Sequence, residues 1–146
     1  MEHDAWAGHA ASAIAAAGLR AGGARQSVID HLARQDCCVS AQEIYDGIRA
    51  DGGHVGVASV YRALDTLASL GLAHRVDLGD GTLRYEPARA DGHHHHHLVC
   101  GQCGTVEPFE DGALERALHR VAEGHGYAMS AHDVVLHGAC ARCRAA

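Results

Sequence analysis

The sequence predicts an α+β protein made of an N-terminal winged helix and a smaller second α/β unit. Three observations predict this fold. Apolar residues recur at helical spacing through the first half of the chain, a hairpin signal follows them, and two CxxC pairs bracket most of the C-terminal part. A chain of 146 residues suits one domain or two small ones with modest cores, so a large enclosed active site is not expected.

The first half of the chain is predicted to form helices separated by glycine breaks. Ser40 and Glu43 fit a capping box, because the Ser40 hydroxyl can accept a hydrogen bond from a first-turn amide while Glu43 reaches back. A helix is therefore expected from there to about Ala50, and Gly52-Gly53 follows as a break. The apolar positions at helical spacing in this half are Ile14, Ala17, Leu19, Val28, Ile29, Leu32, Ile44 and Ile48.

A further helix is predicted from Val57 to Leu70, with Val60, Leu64 and Leu67 on its buried face. Gly71 follows where a helix C-cap is expected.

The pattern changes to strands after this helix. Residues 73–78 and 82–86 are short, partly alternating runs joined by Gly79-Asp80-Gly81, which favours a hairpin. Helix, turn, helix and hairpin together predict a winged helix, a fold that often binds DNA. The alternative is a small α+β scaffold in which the hairpin only covers the helices.

The remaining residues predict a second small unit. Strands are expected at 96–99 and 105–108, a helix at 111–123, and an extended segment at 127–137. Leu114, Leu118 and Val121 are expected on the inward face of that helix. The expected boundaries are 1–86 for the first unit, 87–92 for a hinge and 93–146 for the second unit.

Composition and charge limit the classes of function that the protein can have. The formal net charge is −6, with 12 Lys and Arg against 18 Asp and Glu, so any nucleic-acid contact must come from a local basic patch. The chain shows no basic signal sequence and no apolar run that could span a bilayer, and we expect a cytoplasmic protein with no membrane partner. Fourteen His and six Cys in so short a chain indicate metal binding.

Two CxxC pairs predict a structural zinc site. Four thiolates satisfy tetrahedral Zn²⁺, and a two-residue spacer lets one knuckle supply two neighbouring ligands. The second unit is so small that it is expected to need a bound metal for stability. A four-thiolate site has no open position for water, which argues against catalysis at this metal. The four residues are Cys100, Cys103, Cys140 and Cys143.

A run of five histidines, His93 to His97, lies inside the chain. If it is extended, alternate side chains face opposite ways, so His94 and His96 form one pair while His95 and His97 form another. Such a run can contribute to two metal sites; the alternative is a solvated polar loop. Other candidate ligands are Cys37, Cys38, His74, Glu86, Glu115, His125 and His132.

Several motifs, taken in order, resemble the Fur (ferric uptake regulator) family of bacterial metal-responsive repressors. The resemblance extends from about Ala17 to Cys143. It rests on Ala17-Gly18-Leu19-Arg20, Ser40-Ala41-Gln42-Glu43-Ile44-Tyr45, Ser59-Val60-Tyr61-Arg62-Ala63-Leu64, Gly71-Leu72, His93 to Cys100, Cys103-Gly104 and Gly138-Ala139-Cys140.

The resemblance implies a homodimeric repressor of operator DNA, with an N-terminal DNA-binding domain and a C-terminal dimerisation domain. Its DNA-binding residues would be Arg20, Ser59, Tyr61 and Arg62. Across the recognition helix and wing, Arg62 and Arg75 would outnumber Asp65 and supply the local basic patch.

The resemblance also implies two regulatory metal sites. A hinge sensor would use Glu86, His95 and His97, with either Cys38 or His74 as a further ligand. A second site would use His94, His96, Glu115 and His132. Cys38 stands where iron-type members usually have histidine, and His96 replaces their common aspartate; both changes favour Zn²⁺ over Fe²⁺.

The expected function is therefore metal-dependent repression of metal-uptake and homeostasis genes, with zinc favoured as the sensed ion. The alternative within the family is an iron- or peroxide-responsive repressor, for which the vicinal Cys37 and Cys38 are a reason. Outside it are a zinc hydrolase and a metal-storage protein. The chain carries no HExxH motif, phosphate loop or nucleophile elbow, so we do not expect an enzyme.

Overall fold

The computed structural model of the chain describes residues 2–20, 22–90, 92 and 94–146. It divides into two units, residues 1–93 and 94–146. Residues 87–90 and 92 of the expected hinge belong to the first unit, while Asp91 and His93, the first residue of the histidine run, lie outside the described residues. No helix in the described ranges is long and apolar enough to cross a membrane.

The described residues of the first unit form four helices and a three-stranded antiparallel sheet of strand order β1-β3-β2. Its helices are α1 (Glu2–Ala16), α2 (Ala24–Ala33), α3 (Ala41–Ala50) and α4 (Val57–Ser69). Its strands are β1 (Val39–Ser40), β2 (Ala73–Asp77) and β3 (Leu83–Pro87). The order of α3, α4, β2 and β3 is that of a winged helix, with the β2–β3 hairpin as the wing.

Local sequence explains how α3 and α4 begin and end. Ser40 Oγ accepts a hydrogen bond from the Glu43 amide at 3.2 Å, and Glu43 Oε2 accepts one from the Ser40 amide at 2.7 Å, so the predicted capping box is present. Helix α4 ends at Ser69, and Gly71 follows with φ +69°, a conformation that favours glycine.

The apolar core of the first unit lies between the helices and one face of the sheet. Val60, Leu64 and Leu67 are fully buried, as their spacing predicts. Helix α1 adds Trp6, Ala10 and Ile14 to this core, and Trp6 Nε1 donates to the Leu72 carbonyl at 3.0 Å. The N-terminal helix is thus part of the first unit's packing.

The second unit is a three-stranded sheet with strand order β5-β4-β6 and two helices. Strand β4 pairs antiparallel with β5 and parallel with β6. The elements are β4 (His96–Cys100), β5 (Val106–Phe109), α5 (Gly112–Gly124), β6 (Val135–Gly138) and α6 (Ala141–Arg144). The segment expected to be extended from 127 to 137 forms a strand only from Val135 onward.

Helix α5 begins as predicted, but its inward face differs from the prediction. The Asp111 side chain caps it by accepting from the amides of Ala113 and Leu114, both at 2.8 Å. Leu114 is half-buried, whereas Val121 is 61% exposed, so the inward placement of Val121 was wrong. A three-stranded sheet is too small to cover the full length of this helix.

Candidate metal centres and nucleic-acid interface

The four cysteines of the two CxxC pairs converge at one end of the second unit. Cys100 ends β4 and Cys103 follows in the turn, while Cys140 and Cys143 lie at the start of α6 and within it. All four Sγ atoms lie within 4.8 Å of one another. The Sγ atoms of Cys103 and Cys140 are 3.8 Å apart, which matches the separation of about 3.8 Å expected for thiolates 2.3 Å from a tetrahedral zinc ion.

Backbone amides around this cluster favour a thiolate at Cys100. Hydrogen bonds from the amides of Cys103, Cys140 and Gln102 lower the pKa of Cys100 to about 6. The amide of Cys140 is 3.3 Å from Cys100 Sγ. By contrast, hydrogen bonding to Cys140 raises the pKa of Cys143 to about 12. Four thiols this close cannot all ionise without a cation, so the cluster suits a divalent metal.

A second cluster joins β4 to α5 and to the segment before β6. The Nε2 atoms of His94 and His132 are 3.0 Å apart, and His96 Nε2 lies 2.6 Å from Glu115 Oε1. Glu115 also lies 2.9 Å from His132 Nε2 and 3.7 Å from His94 Nε2. Burial raises the pKa of Glu115, but hydrogen bonds from His132 and His96 outweigh it and hold that pKa below its usual value.

The ligand atoms of this nitrogen and oxygen set all lie within 4.8 Å of one another, close enough for one metal ion. Ligands 2.0 Å from a zinc ion are about 3.3 Å apart, and the measured separations of 2.6 to 3.7 Å bracket that value. His96 is 1% exposed, and its Nδ1 is buried without a hydrogen-bond partner among the residues described. The structure therefore brings together the four residues expected to form the second site.

The odd-numbered histidines project from the opposite face of β4. His96 pairs with Phe109 across the β4–β5 ladder, and continuing that register by one residue sets His95 opposite Glu110. His95 Nε2 lies 3.1 Å from Glu110 Oε1. His97 is buried. Sequence reasoning missed Glu110, because its position beside His95 depends on the register of β5.

Three candidate ligands lie in a row across the sheet of the first unit. Strand β2 pairs His74 with Glu86, and the β1–β3 register, continued by one residue, places Cys38 on the other side of Glu86. Residues directly opposite in an antiparallel sheet share a face. Cys38 and Glu86 are buried, with 7% and 6% exposure, whereas His74 is exposed.

Cys38 is also beside Cys37, another residue of the first unit. Their Sγ atoms are 3.9 Å apart, and neither cysteine is in a disulfide. The hydrogen bond with Cys37, burial and the nearby Glu86 carboxylate each raise the pKa of Cys38 above that of an ordinary thiol.

Helix α4 presents a polar face that suits nucleic acid. Tyr61 is 49% exposed, and Arg62 is exposed with its Nη2 donating to Ser59 Oγ at 3.0 Å. Arg75 on the wing forms an ion pair with Asp65 at 3.1 Å. Because that pair is neutral, the excess positive charge of this face comes from Arg62. Arg20, also exposed, lies before α2, and its carbonyl accepts a hydrogen bond from Arg25.

These features can be compared with known proteins. The model of the ferric uptake regulator family matches residues 16–137. The chain belongs to the ferric uptake regulator family. A ferric uptake regulation protein of Bordetella parapertussis is 34% identical over 128 residues, which cover 87% of this chain and 91% of the relative. A zinc uptake regulation protein of Mycobacterium tuberculosis is 36% identical over 131 residues, covering 90% and 99% of the two chains.

A solved relative supports the same assignment. The ferric uptake regulator Fur of Helicobacter pylori, whose structure reveals three functional metal binding sites, is 25% identical with a TM-score of 0.82 and covers 99% of this chain and 95% of its own. The predicted α+β fold class, with a DNA-binding and a dimerisation domain, is thereby confirmed. Fur family members are metal-responsive transcription regulators, which supports the prediction of a non-enzyme at the family level.

Proposed function

We propose that this Fur family protein represses zinc-uptake and zinc-homeostasis genes by binding operator DNA as a homodimer when its sensor site holds zinc. The observation that carries this proposal is the row of Cys38, Glu86 and His74 across the wing sheet. Two of these three donor side chains are buried in the DNA-binding unit itself. Metal occupancy and the placement of the recognition helix are then physically linked.

Helix α4 is the proposed recognition helix. A helix fits the major groove of B-DNA, and a two-fold dimer presents two such helices to successive grooves. Tyr61 and Arg62 project from the exposed side of α4, while Ser59 holds the Arg62 guanidinium by a hydrogen bond. Arg20 is proposed to add a contact in the minor groove.

The proposed sensor takes Cys38 and Glu86 from the first unit and His95 and His97 from the second. We take Cys38 and not His74 as the remaining ligand, because Cys38 is buried like the neighbouring Glu86, whereas His74 is exposed. Metal binding would favour the arrangement of the two units that matches the operator. Moving such an equilibrium from 1:99 to 99:1 requires about 5.5 kcal/mol of differential binding, which a multi-ligand metal site can supply.

The donor types favour zinc as the sensed ion. A thiolate and two imidazoles in the sensor suit Zn²⁺, whereas Fe²⁺ and Mn²⁺ favour sets richer in oxygen. We further propose that Cys100, Cys103, Cys140 and Cys143 hold structural zinc, and that His94, His96, Glu115 and His132 hold a second regulatory ion.

Operator binding under metal control tests this function. Zinc-loaded protein is used to select duplexes from a random-sequence DNA library. Affinity for the selected duplex is then measured anaerobically by fluorescence anisotropy, against buffered Zn²⁺ and, separately, buffered Fe²⁺. We expect Zn²⁺ to restore binding to the chelator-treated protein at the lower free concentration. Binding that only Fe²⁺ restores would contradict the zinc assignment, and binding independent of any metal would contradict the repressor mechanism.

A further inference from the structure

The four clustered cysteines of the second unit are not equally accessible to solvent. Cys100 is buried, at 5% exposure, and Cys140 and Cys143 are half-buried, whereas Cys103 is exposed. The thiolate is the form of cysteine that binds a metal and also the form that reacts with electrophiles. Cys103 is therefore the ligand at which a reagent or a chelator from solution can first compete for the metal.

A side-chain hydroxyl lies directly against this exposed sulfur. Thr105 Oγ1 is 3.1 Å from Cys103 Sγ, which is hydrogen-bonding distance. Because a thiolate has no proton to donate, the hydroxyl is the donor once Cys103 is ionised. The Thr105 amide also hydrogen-bonds to this sulfur. Thr105 thus supplies Cys103 with one side-chain donor and one backbone donor.

The turn between β4 and β5 fixes the position of this hydroxyl. The Cys100 amide donates to the Thr105 carbonyl at 2.9 Å, and the Gly104 amide donates to the Cys100 carbonyl at 2.9 Å. Gly104 has φ +74°, a conformation that favours glycine. Since these hydrogen bonds join only backbone atoms, a substitution of the half-buried Thr105 side chain is expected to leave the turn intact.

We propose that the Thr105 hydroxyl is a positioning group for the structural zinc, which slows both electrophilic attack on Cys103 and loss of the ion. This inference rests on the proposed structural zinc site. A hydrogen bond to a charged acceptor is stronger than one between neutral groups. It draws electron density from the sulfur, which lowers its nucleophilicity, and it holds the ligand in its metal-binding orientation.

Zinc release during alkylation measures this protection. The full chain is prepared with zinc only in the four-cysteine site, and N-ethylmaleimide is added in excess with a chromophoric zinc chelator. The Cys103 thiolate adds to the maleimide double bond, so that a carbon–sulfur bond forms and the neighbouring ring carbon takes a proton from water. Absorbance gives the rate of zinc release, and peptide mass spectrometry gives the rate of alkylation at each cysteine.

The rates are compared for the native chain, Thr105→Val and Thr105→Ser. Thr82→Val is the matched control, because it changes an exposed threonine of the first unit. We expect Thr105→Val to release zinc about 10-fold faster than the native chain, with Cys103 the first of the four cysteines to be alkylated. Thr105→Ser keeps a hydroxyl and is expected to release zinc at the native rate, as is Thr82→Val.

The possible failures of the two proposals are distinguishable. Native rates in Thr105→Val, or equal acceleration in Thr105→Val and Thr105→Ser, would overturn the role of the hydroxyl while leaving the structural zinc in place. A native chain that holds no zinc on the four cysteines would overturn both proposals.

Zinc content and the circular dichroism spectrum, recorded before the reagent is added, establish that each variant is folded. If Thr105→Val does not fold with zinc, Thr105→Ala replaces it, and the same acceleration of about 10-fold is expected. Native zinc release from folded Thr105→Ala would contradict the proposal.

Discussion

Single contacts around the histidine run distinguish the proposed ligands from the groups that orient them. His95 is positioned by Glu110, whose Oε1 lies 3.1 Å from the imidazole Nε2. A carboxylate on one ring nitrogen fixes the tautomer and leaves the other nitrogen for a metal. Spacing predicted the division of the run into even and odd pairs, since it follows from strand geometry. It did not predict the contact with Glu110, because only the register of β4 against β5 shows that Glu110 lies opposite His95.

Glu110→Gln is expected to weaken zinc binding at the sensor by about 10- to 100-fold, because the amide holds the His95 ring less firmly. The affinity is measured by competition with a chromophoric chelator, on protein with its four-cysteine site already filled. Glu107→Gln is the matched control, since Glu107 is an exposed glutamate of β5, three residues before Glu110. Equal affinities for the two variants would exclude an orienting role for Glu110.

Cys103→Ser tests the structural zinc. Zinc contributes about 10 to 16 kcal/mol of binding free energy in small domains that fold around it. We expect the variant to lose that zinc and the ordered structure of the second unit, as measured by metal content and hydrogen exchange. A variant that keeps a protected second unit without the metal would show that the cysteines are not structural ligands.

Elements were predictable where local signals set their ends. The capping box fixed the start of α3, glycine marked the end of α4, and Gly79-Asp80-Gly81 located the wing turn. The contribution of α1 was not predictable, because its alanine-rich sequence carries little amphipathic signal. Its role depends on Trp6 and Ile14 reaching the core. The prediction that Val121 faces inward was wrong for a related reason. Spacing shows which residues share a helix face, but not whether another element covers that face.

Ser40→Ala is expected to destabilise the first unit by about 0.5 to 2 kcal/mol through loss of the α3 cap. Urea unfolding is followed by the fluorescence of Trp6, the single tryptophan, which is 8% exposed in the same unit. Ser12→Ala, at an exposed position within α1, is the control and is expected to change stability little. Similar midpoints for the two variants would contradict the capping account.

At the scale of the whole molecule, the two units differ in how much of their apolar surface is buried within a single chain. The first has a closed helical core, whereas none of the residues of α5 is buried. The second unit leaves large apolar side chains exposed: Leu98, Val121, Tyr127 and Leu136 are 39%, 61%, 74% and 50% exposed. Exposed apolar surface of this kind is typical of an interface, and the proposed homodimer gives it a partner.

Leu136→Asp is accordingly expected to shift the zinc-loaded protein from dimer to monomer, because a carboxylate would be desolvated on association. Sedimentation velocity over a range of concentrations measures the shift. Leu83→Asp, an exposed leucine at the wing with 44% exposure, is the matched control and should remain dimeric. Dimerisation of Leu136→Asp with unchanged affinity would place the interface elsewhere.

In the proposed mechanism, a metal held by the odd-numbered histidines controls DNA binding. The measurement that tests it most directly compares the zinc dependence of operator affinity, by anisotropy, for the native chain, His97→Ala and the control His9→Ala, an exposed histidine of α1. We predict that His9→Ala responds to zinc like the native chain, while folded His97→Ala binds the operator weakly at all zinc concentrations that leave the structural site filled. A native zinc response in His97→Ala would contradict the account.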